Sequence, residues 1–180
     1  MDKLRVVVLV GSVRENSETA RVVPIVENYL SKAGFETEVV TLQGLPIFKD
    51  VPTAQASDFL AKTSSCDAFV VVTPEYHGSF SGVLKNALDY LDDEKELVRK
   101  PVGLIGVSEG MGGTRPLSHL RDVFRALDAV VIPLQVAVTR SEENVAEDFK
   151  TTALQSRTRR MAEELMWYSQ ALKAARESKS

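Results

Sequence analysis

Three short stretches concentrate the residues capable of chemistry: GSVRENSETAR (11–21), TPEYHGSFSG (73–82) and SEGMGGTRP (108–116). The first leaves an apolar run with far more hydrogen-bonding capacity than a turn requires. Ser12, Ser17 and Thr19 bring hydroxyl donors, and Arg14 brings a charged fork matched to phosphate oxygens. At the mouth of a helix, unpartnered backbone N–H groups and the helix dipole add to that attraction. The expectation is an anion site, weighed against a plain helix cap made by Ser17. In the second stretch Pro74 closes a strand, and Gly78 and Gly82 permit tight turns. Tyr76 stands there on a loop, where it can face a planar ligand. In the third, Gly110, Gly112 and Gly113 bare backbone groups for close approach to a flat ring.

What these stretches lack narrows the chemistry. No Gly-Lys-Ser/Thr ending marks a nucleoside triphosphate loop, and no Gly-x-Gly-x-x-Gly marks the standard dinucleotide fingerprint. A hydroxyl-rich loop with one arginine suits a terminal monophosphate instead. His77 stands alone in a glycine-rich loop and reads as a hydrogen-bonding or conformational residue. No Cys/His/Asp cluster is present, so no catalytic metal is expected. The single cysteine, Cys66, excludes an intrachain disulfide; ahead of DAFVVVT it reads as a buried thiol. With 22 basic and 25 acidic residues, the net charge of −3 weighs against a nucleic-acid or anionic-membrane surface. The start, MDKLRVVVLVG, has too short an apolar run for a signal peptide or membrane span and reads as a first strand. A cytoplasmic protein is the expectation.

The elements that must position these stretches alternate along the chain. Apolar runs at 4–10, 35–41, 68–73, 101–108 and 129–138 read as strands. The first, third and fourth are nearly continuous Val, Ile and Leu, the pattern of parallel strands covered on both faces. The second is more polar and alternates, as an edge strand does. Helix candidates fall at 17–32, 53–64, 82–92 and 116–127, with a long final helix at about 144–177. Pro24 inside the first implies a kink or a late start. This order, without repeats or linkers, predicts one α/β domain over residues 1–180: a doubly wound, five-stranded parallel sheet in the flavodoxin-like order 2-1-3-4-5, with helices on both faces. Ligands in that order sit outside the carboxyl ends of strands 1, 3 and 4, where the three polar stretches lie.

Together these loops resemble the NAD(P)H-dependent FMN reductases of the flavodoxin-like superfamily, which include quinone, azo-dye and chromate reducers. The resemblance spans roughly residues 4–140 and rests on GSVRENS, LPIFKD (45–50), PEYHGSFSGVLKNALDYL and SEGMGG followed by Arg115. It implies bound FMN. Gly11, Ser12, Arg14, Ser17, Glu18 and Thr19 would surround the phosphate. Pro74, Glu75, Tyr76, His77 and Gly78 would border the isoalloxazine and ribityl chain. Ser108, Glu109, Gly110, Gly112 and Gly113 would close over the pyrimidine side. Two departures stand out: family loops usually have asparagine where this chain has His77, and often where it has Thr19.

The resemblance further implies hydride transfer from NADPH or NADH through the flavin N5 to a small-molecule electron acceptor (a quinone, a flavin, an azo compound or a metal oxyanion), in ping-pong fashion. No side chain need serve as general acid or base, so none is assigned as catalytic. Arg115 either attracts the NADPH phosphates or pairs with a neighbouring acid. A homodimer or homotetramer is implied, with Tyr76, Phe80 and Tyr90 as apolar interface candidates against a core role for each. Two other readings compete: a flavodoxin-like electron carrier without a hydride-donor site, and an interaction protein that kept the fold but lost the flavin.

Overall fold

The computed structural model describes residues 3–47, 50–91, 96–108, 113–139 and 152–178. Its strands are β1 (Arg5–Val10), β2 (Glu36–Thr41), β3 (Ala68–Pro74), β4 (Pro101–Ser108) and β5 (Val130–Thr139). They form one sheet in the order β2-β1-β3-β4-β5, every neighbouring pair parallel. The order follows the hydrophobic pattern. β3 is buried along its whole length and takes a central place, whereas β2 shows exposed residues and takes an edge.

Among the described residues, five helices cover the faces: α1 (Glu18–Ala33), α2 (Ala54–Ser64), α3 (Gly82–Leu88), α4 (Thr114–Ala126) and α5 (Thr152–Glu177). The period of two along β1 sends Val6, Val8 and Val10 to one face and Val7 and Leu9 to the other. The first set packs with Val22, Val26 and Leu30 of α1 and with Met161 and Leu165 of α5. The second packs with Phe59 of α2, Leu84 and Leu88 of α3, and Leu117, Leu120 and Phe124 of α4. Two apolar layers thus clamp the sheet, and its strand ends stay free to carry loops.

Element boundaries differ from expectation in instructive ways. α1 begins at Glu18 and runs through Pro24, so there is no late start. Pro24 is exposed, so water can take the carbonyl its missing N–H leaves unpaired. α4 starts two residues before Pro116, which therefore lies in the first helical turn, where an absent N–H costs nothing. α3 ends at Leu88 rather than continuing to residue 92. Beyond it Tyr90 is buried: its hydroxyl donates to the Pro46 carbonyl at 2.8 Å, and its ring meets Phe59 edge-on at 6.2 Å. Tyr90 is thus packed into the core of the chain, the second of the two roles expected for it. The last helix is described from Thr152; the expected residues 144–151 lie outside the described residues.

One irregularity interrupts β5. The pairing steps from Val102↔Val131 to Leu104↔Gln135, placing extra residues around Pro133 on this edge strand. Arg121 of α4 offsets the lost ladder bonds by donating to the carbonyls of Ile132 at 3.1 Å and Pro133 at 3.0 Å. Among the described residues, no helix is long and apolar enough to cross a membrane.

Candidate functional site

The carboxyl ends of β1, β3 and β4 meet in a cleft of about 580 Å³. One wall is the start of α1. Ser17 caps that helix, its hydroxyl oxygen accepting from the Ala20 N–H at 3.1 Å. The cap satisfies one donor and leaves other first-turn N–H groups directed out of the helix end. Arg14, Asn16, Ser17, Glu18 and Thr19 line this side, and so does Arg21. The opposite wall is Pro74, Glu75 and Tyr76 after β3, with Val107 and Ser108 at the end of β4. One end therefore brings Arg14, Arg21 and Glu18 to a helix N-terminus, and the other offers strand ends and an aromatic ring.

Sequence reasoning missed Arg21. It closes the quoted loop, but its place one turn into α1 makes it look like a solvent-facing helix residue. Its spacing of four from Ser17 was the available signal, since that spacing returns a side chain to the same helix face.

Gly11 and Ser12 do not line this polar cleft. They line an adjoining apolar cleft of about 550 Å³ that shares Arg14 and Tyr76 with it. Gly11 is fixed by close approach: its N–H donates to the Val72 carbonyl at 2.7 Å, and a Cβ there would lie 3.0 Å from Thr73 Oγ1. The Ser81 hydroxyl, at the cap of α3, donates to the Gly11 carbonyl at 2.6 Å. Asn86 and Tyr90 anchor the loop after β2 in a similar way, both donating to the Pro46 carbonyl. The motif SGVLKNALDY thus ties three loops together.

His77 and Gly78 form the tip of a tight reversal. Tyr76 N–H donates to the Ser79 carbonyl at 2.8 Å, and Ser79 N–H donates back at 3.1 Å. Both tip residues have positive φ, 50° at His77 and 82° at Gly78. That is the signature of a turn favouring asparagine followed by glycine. Histidine is one of the non-glycine residues that tolerates this region, so His77 fills a conformational position.

α4 braces this turn from the side. Arg115 Nη1 lies 3.4 Å from Glu75 Oε1, and the His119 Nδ1 and Ser79 Oγ are 3.0 Å apart. Glu75 keeps only a tenth of its side chain accessible, while Arg115 stays 61% exposed at the rim. Arg115 therefore does pair with a neighbouring acid, yet remains reachable from solvent. Gly113 is buried where α4 meets β4. A Cβ on Gly106 would stand 2.3 Å from the Gly113 carbonyl oxygen, so backbone packing demands both glycines. Glu109, Gly110 and Gly112 lie outside the described residues.

Groups whose protonation burial displaces sit at the other end of the sheet. Cys66, just before β3, is buried, and desolvation pushes its thiol up to about 11. Lys100, just before β4, has its ammonium pKa lowered by burial, and it donates to the Ser64 carbonyl at the end of α2 at 3.1 Å.

A phosphate-bearing flavin fits the residues present. The α1 terminus with Arg14 and Arg21 matches a phosphate, and the remainder of the cleft has room for a flat ring against Tyr76 and the ends of β3 and β4. The sheet order defines a flavodoxin-like fold of the α/β class, with the cleft at its switch point. The profile of the family described as NADPH-dependent FMN reductase matches residues 4–143, and the chain belongs to that family. It is accordingly an oxidoreductase of the FMN-dependent, NAD(P)H-linked type.

Among relatives, the FMN-dependent NADPH-azoreductase of Staphylococcus saprophyticus is 36% identical over 153 residues, covering 78% of this chain and 80% of that protein. The enzyme of the same name from Staphylococcus aureus is 34% identical over 151 residues, with coverage of 78% and 80%. Among solved structures, FerB, a flavoenzyme NAD(P)H:(acceptor) oxidoreductase from Paracoccus denitrificans, superposes with a TM-score of 0.79 at 20% identity, covering 92% of this chain and 98% of its own. That likeness concerns the fold.

Proposed function

We propose that this chain passes electrons from NADPH or NADH, through FMN held in the polar cleft, to a small organic acceptor such as an azo compound or quinone, in two half-reactions that use the cleft in turn. The observation carrying this reading is the division of one cleft into a cationic helix end and a flat wall, at the switch point of the sheet. FMN, when bound, supplies the hydride-accepting and electron-donating chemistry. The chain's residues do the rest.

Arg14 and Arg21, with the N–H groups of the α1 start, hold the phosphate and fix the register of the cofactor along the cleft. The Ser17 hydroxyl keeps the helix mouth open in the right direction. Tyr76 and the Pro74–Glu75 backbone position the ring, and the Tyr76–Ser79 reversal sets the height of that wall. Ser108 and Val107, at the end of β4, border the far side. Exposed Arg115 attracts the phosphates of the nicotinamide dinucleotide, exchanging its long contact with Glu75 for a stronger one. No side chain is assigned as a general acid or base, since the flavin carries the redox chemistry.

The exposed rim residue Tyr76 and the half-buried Phe80 are offered as contacts of a homodimer or homotetramer. Use of nicotinamide dinucleotides and a reduced, buried thiol suit the cytoplasm. The test is steady-state kinetics with both substrates varied. Parallel double-reciprocal lines support alternating use of the cleft; intersecting lines require donor and acceptor to bind together and overturn it. The electron-carrier reading predicts negligible NADPH oxidation without a partner protein.

A further inference from the structure

We infer that Glu75 and Arg115 form an opposed charge pair that sets how readily a bound flavin is reduced. The carboxylate resists reduction, and the guanidinium offsets it. The inference rests on the proposed function, because the pair acts only on a flavin in the polar cleft. Glu75 stands in the cleft wall between Pro74 and Tyr76. Its place is fixed by the backbone: the Glu75 N–H donates to the Val107 carbonyl at 3.0 Å, directly after the Pro74↔Val107 pairing of β3 with β4. The carboxyl group therefore rides on the sheet and not on a free loop.

That group is poorly satisfied for a buried one. Only 10% of the Glu75 side chain is accessible, and Oε2 is buried with no hydrogen-bond partner among the described residues. Oε1 faces Arg115 Nη1 at 3.4 Å, longer than a strong charge-assisted bond. Buried carboxylates are ordinarily paired and fully hydrogen-bonded. With so little held by hydrogen bonds, the Glu75 charge acts mainly through space, and a water-poor wall screens it weakly.

Arg115 supplies the opposite sign from outside. Its stem passes beside the turn tip, since a Cβ on Gly78 would lie 3.6 Å from Arg115 Cδ. The guanidinium is 61% exposed, so solvent and salt screen it more than they screen the carboxylate. The balance at this wall is therefore negative. Flavin reduction adds negative charge to the ring, so the balance holds the potential down and favours passing electrons on to the acceptor. Arg14, Arg21 and Glu18 add their own field from the helix end of the cleft, the same in every variant of the pair.

The experiment measures the potential of FMN bound to the parent, Glu75→Gln, Glu75→Asp and Arg115→Ala, by anaerobic reduction beside a reference dye, without nicotinamide. FMN affinity is read on the same samples by fluorescence titration. At a fixed dye ratio, Glu75→Gln should raise the ratio of reduced to oxidised flavin about tenfold, about 30 mV for a two-electron couple. Glu75→Asp keeps the charge and should stay within about twofold of the parent. Arg115→Ala should lower the ratio by about threefold, less than the carboxylate raises it, because its charge is the more screened. A Glu75→Gln ratio within about twofold of the parent overturns the inference, even where FMN affinity falls, and makes Glu75 a brace for the turn. An equal rise in Glu75→Asp and Glu75→Gln also overturns it, because shape and not charge is then at work. A parent that takes up no FMN defeats the proposed function at the loading step, and this inference with it.

Discussion

Ser81, at the start of α3, donates its hydroxyl hydrogen to the carbonyl of Gly11, at the end of β1, across 2.6 Å. Both groups are buried, and 70 residues separate them in sequence. The same Ser81 oxygen accepts from the Leu84 N–H at 3.3 Å, so one side chain caps a helix and locks two site loops together. The loop after β1 and the start of α3 are thereby held in a fixed relation before any ligand arrives.

Ser81→Ala removes both bonds and leaves the Gly11 carbonyl buried without its donor. The expected loss is about 1–3 kcal/mol of unfolding free energy. Because the loops also loosen, FMN affinity should fall. Urea unfolding of the apoprotein and fluorescence titration with FMN measure the two effects. An undiminished affinity would confine Ser81 to a capping role.

Gly106→Ala drives a methyl group to 2.3 Å from the Gly113 carbonyl oxygen, backbone against backbone, with no flexible side chain to yield. The variant should lose about 1–3 kcal/mol or more and shift the start of α4 away from β4. Its thermal midpoint should drop by several degrees or the protein should fail to accumulate; a parent-like midpoint contradicts the close contact.

Much of this was readable from the chain. Valine and isoleucine runs fixed which segments are strands, because only burial on both faces tolerates such continuity. The loops at β1 and β3 were found through surplus hydroxyls and glycines. The rest depended on tertiary contacts that local pattern does not encode. Tyr90 has helical spacing, yet burial against Phe59 and a bond to Pro46 take it out of α3 and into the core. The packing demand at Gly113 comes from Gly106, seven residues earlier, and no local pattern announces it. The αL conformation of His77 has no signal of its own except the glycine that follows it.

Arg115→Ala should raise KM for NADPH several-fold while leaving FMN content intact, since its guanidinium lies at the rim and its ionic contact to Glu75, at 3.4 Å, is long. Comparing NADPH with NADH tells which phosphate it meets. An unchanged KM for both restricts Arg115 to bracing Glu75.

Cys66 should resist thiol reagents at pH 8, where a thiol held up to about 11 is protonated as well as buried. The same shift has a definite sign for stability. The unfolded thiol ionises near 9 and the folded one near 11, so its contribution is full below pH 9 and is lost as pH rises through 11. About 2–3 kcal/mol should disappear across that window. Cys66→Ala should remove this part of the alkaline decline in urea unfolding; an identical decline in the variant refutes the assignment. Lys100, lowered chiefly by burial, titrates with the opposite sign, and its charge acts on the Cys66 thiolate.

The central claim is that the polar cleft holds FMN and lets a nicotinamide dinucleotide reduce it. Anaerobic stopped-flow mixing of the purified, FMN-loaded protein with NADPH measures this directly. The account predicts bound flavin at purification, rapid loss of its visible absorbance on mixing, and recovery when an azo compound or quinone is added. A protein that stays colourless after FMN is supplied, or a bound flavin that NADPH leaves oxidised, contradicts it.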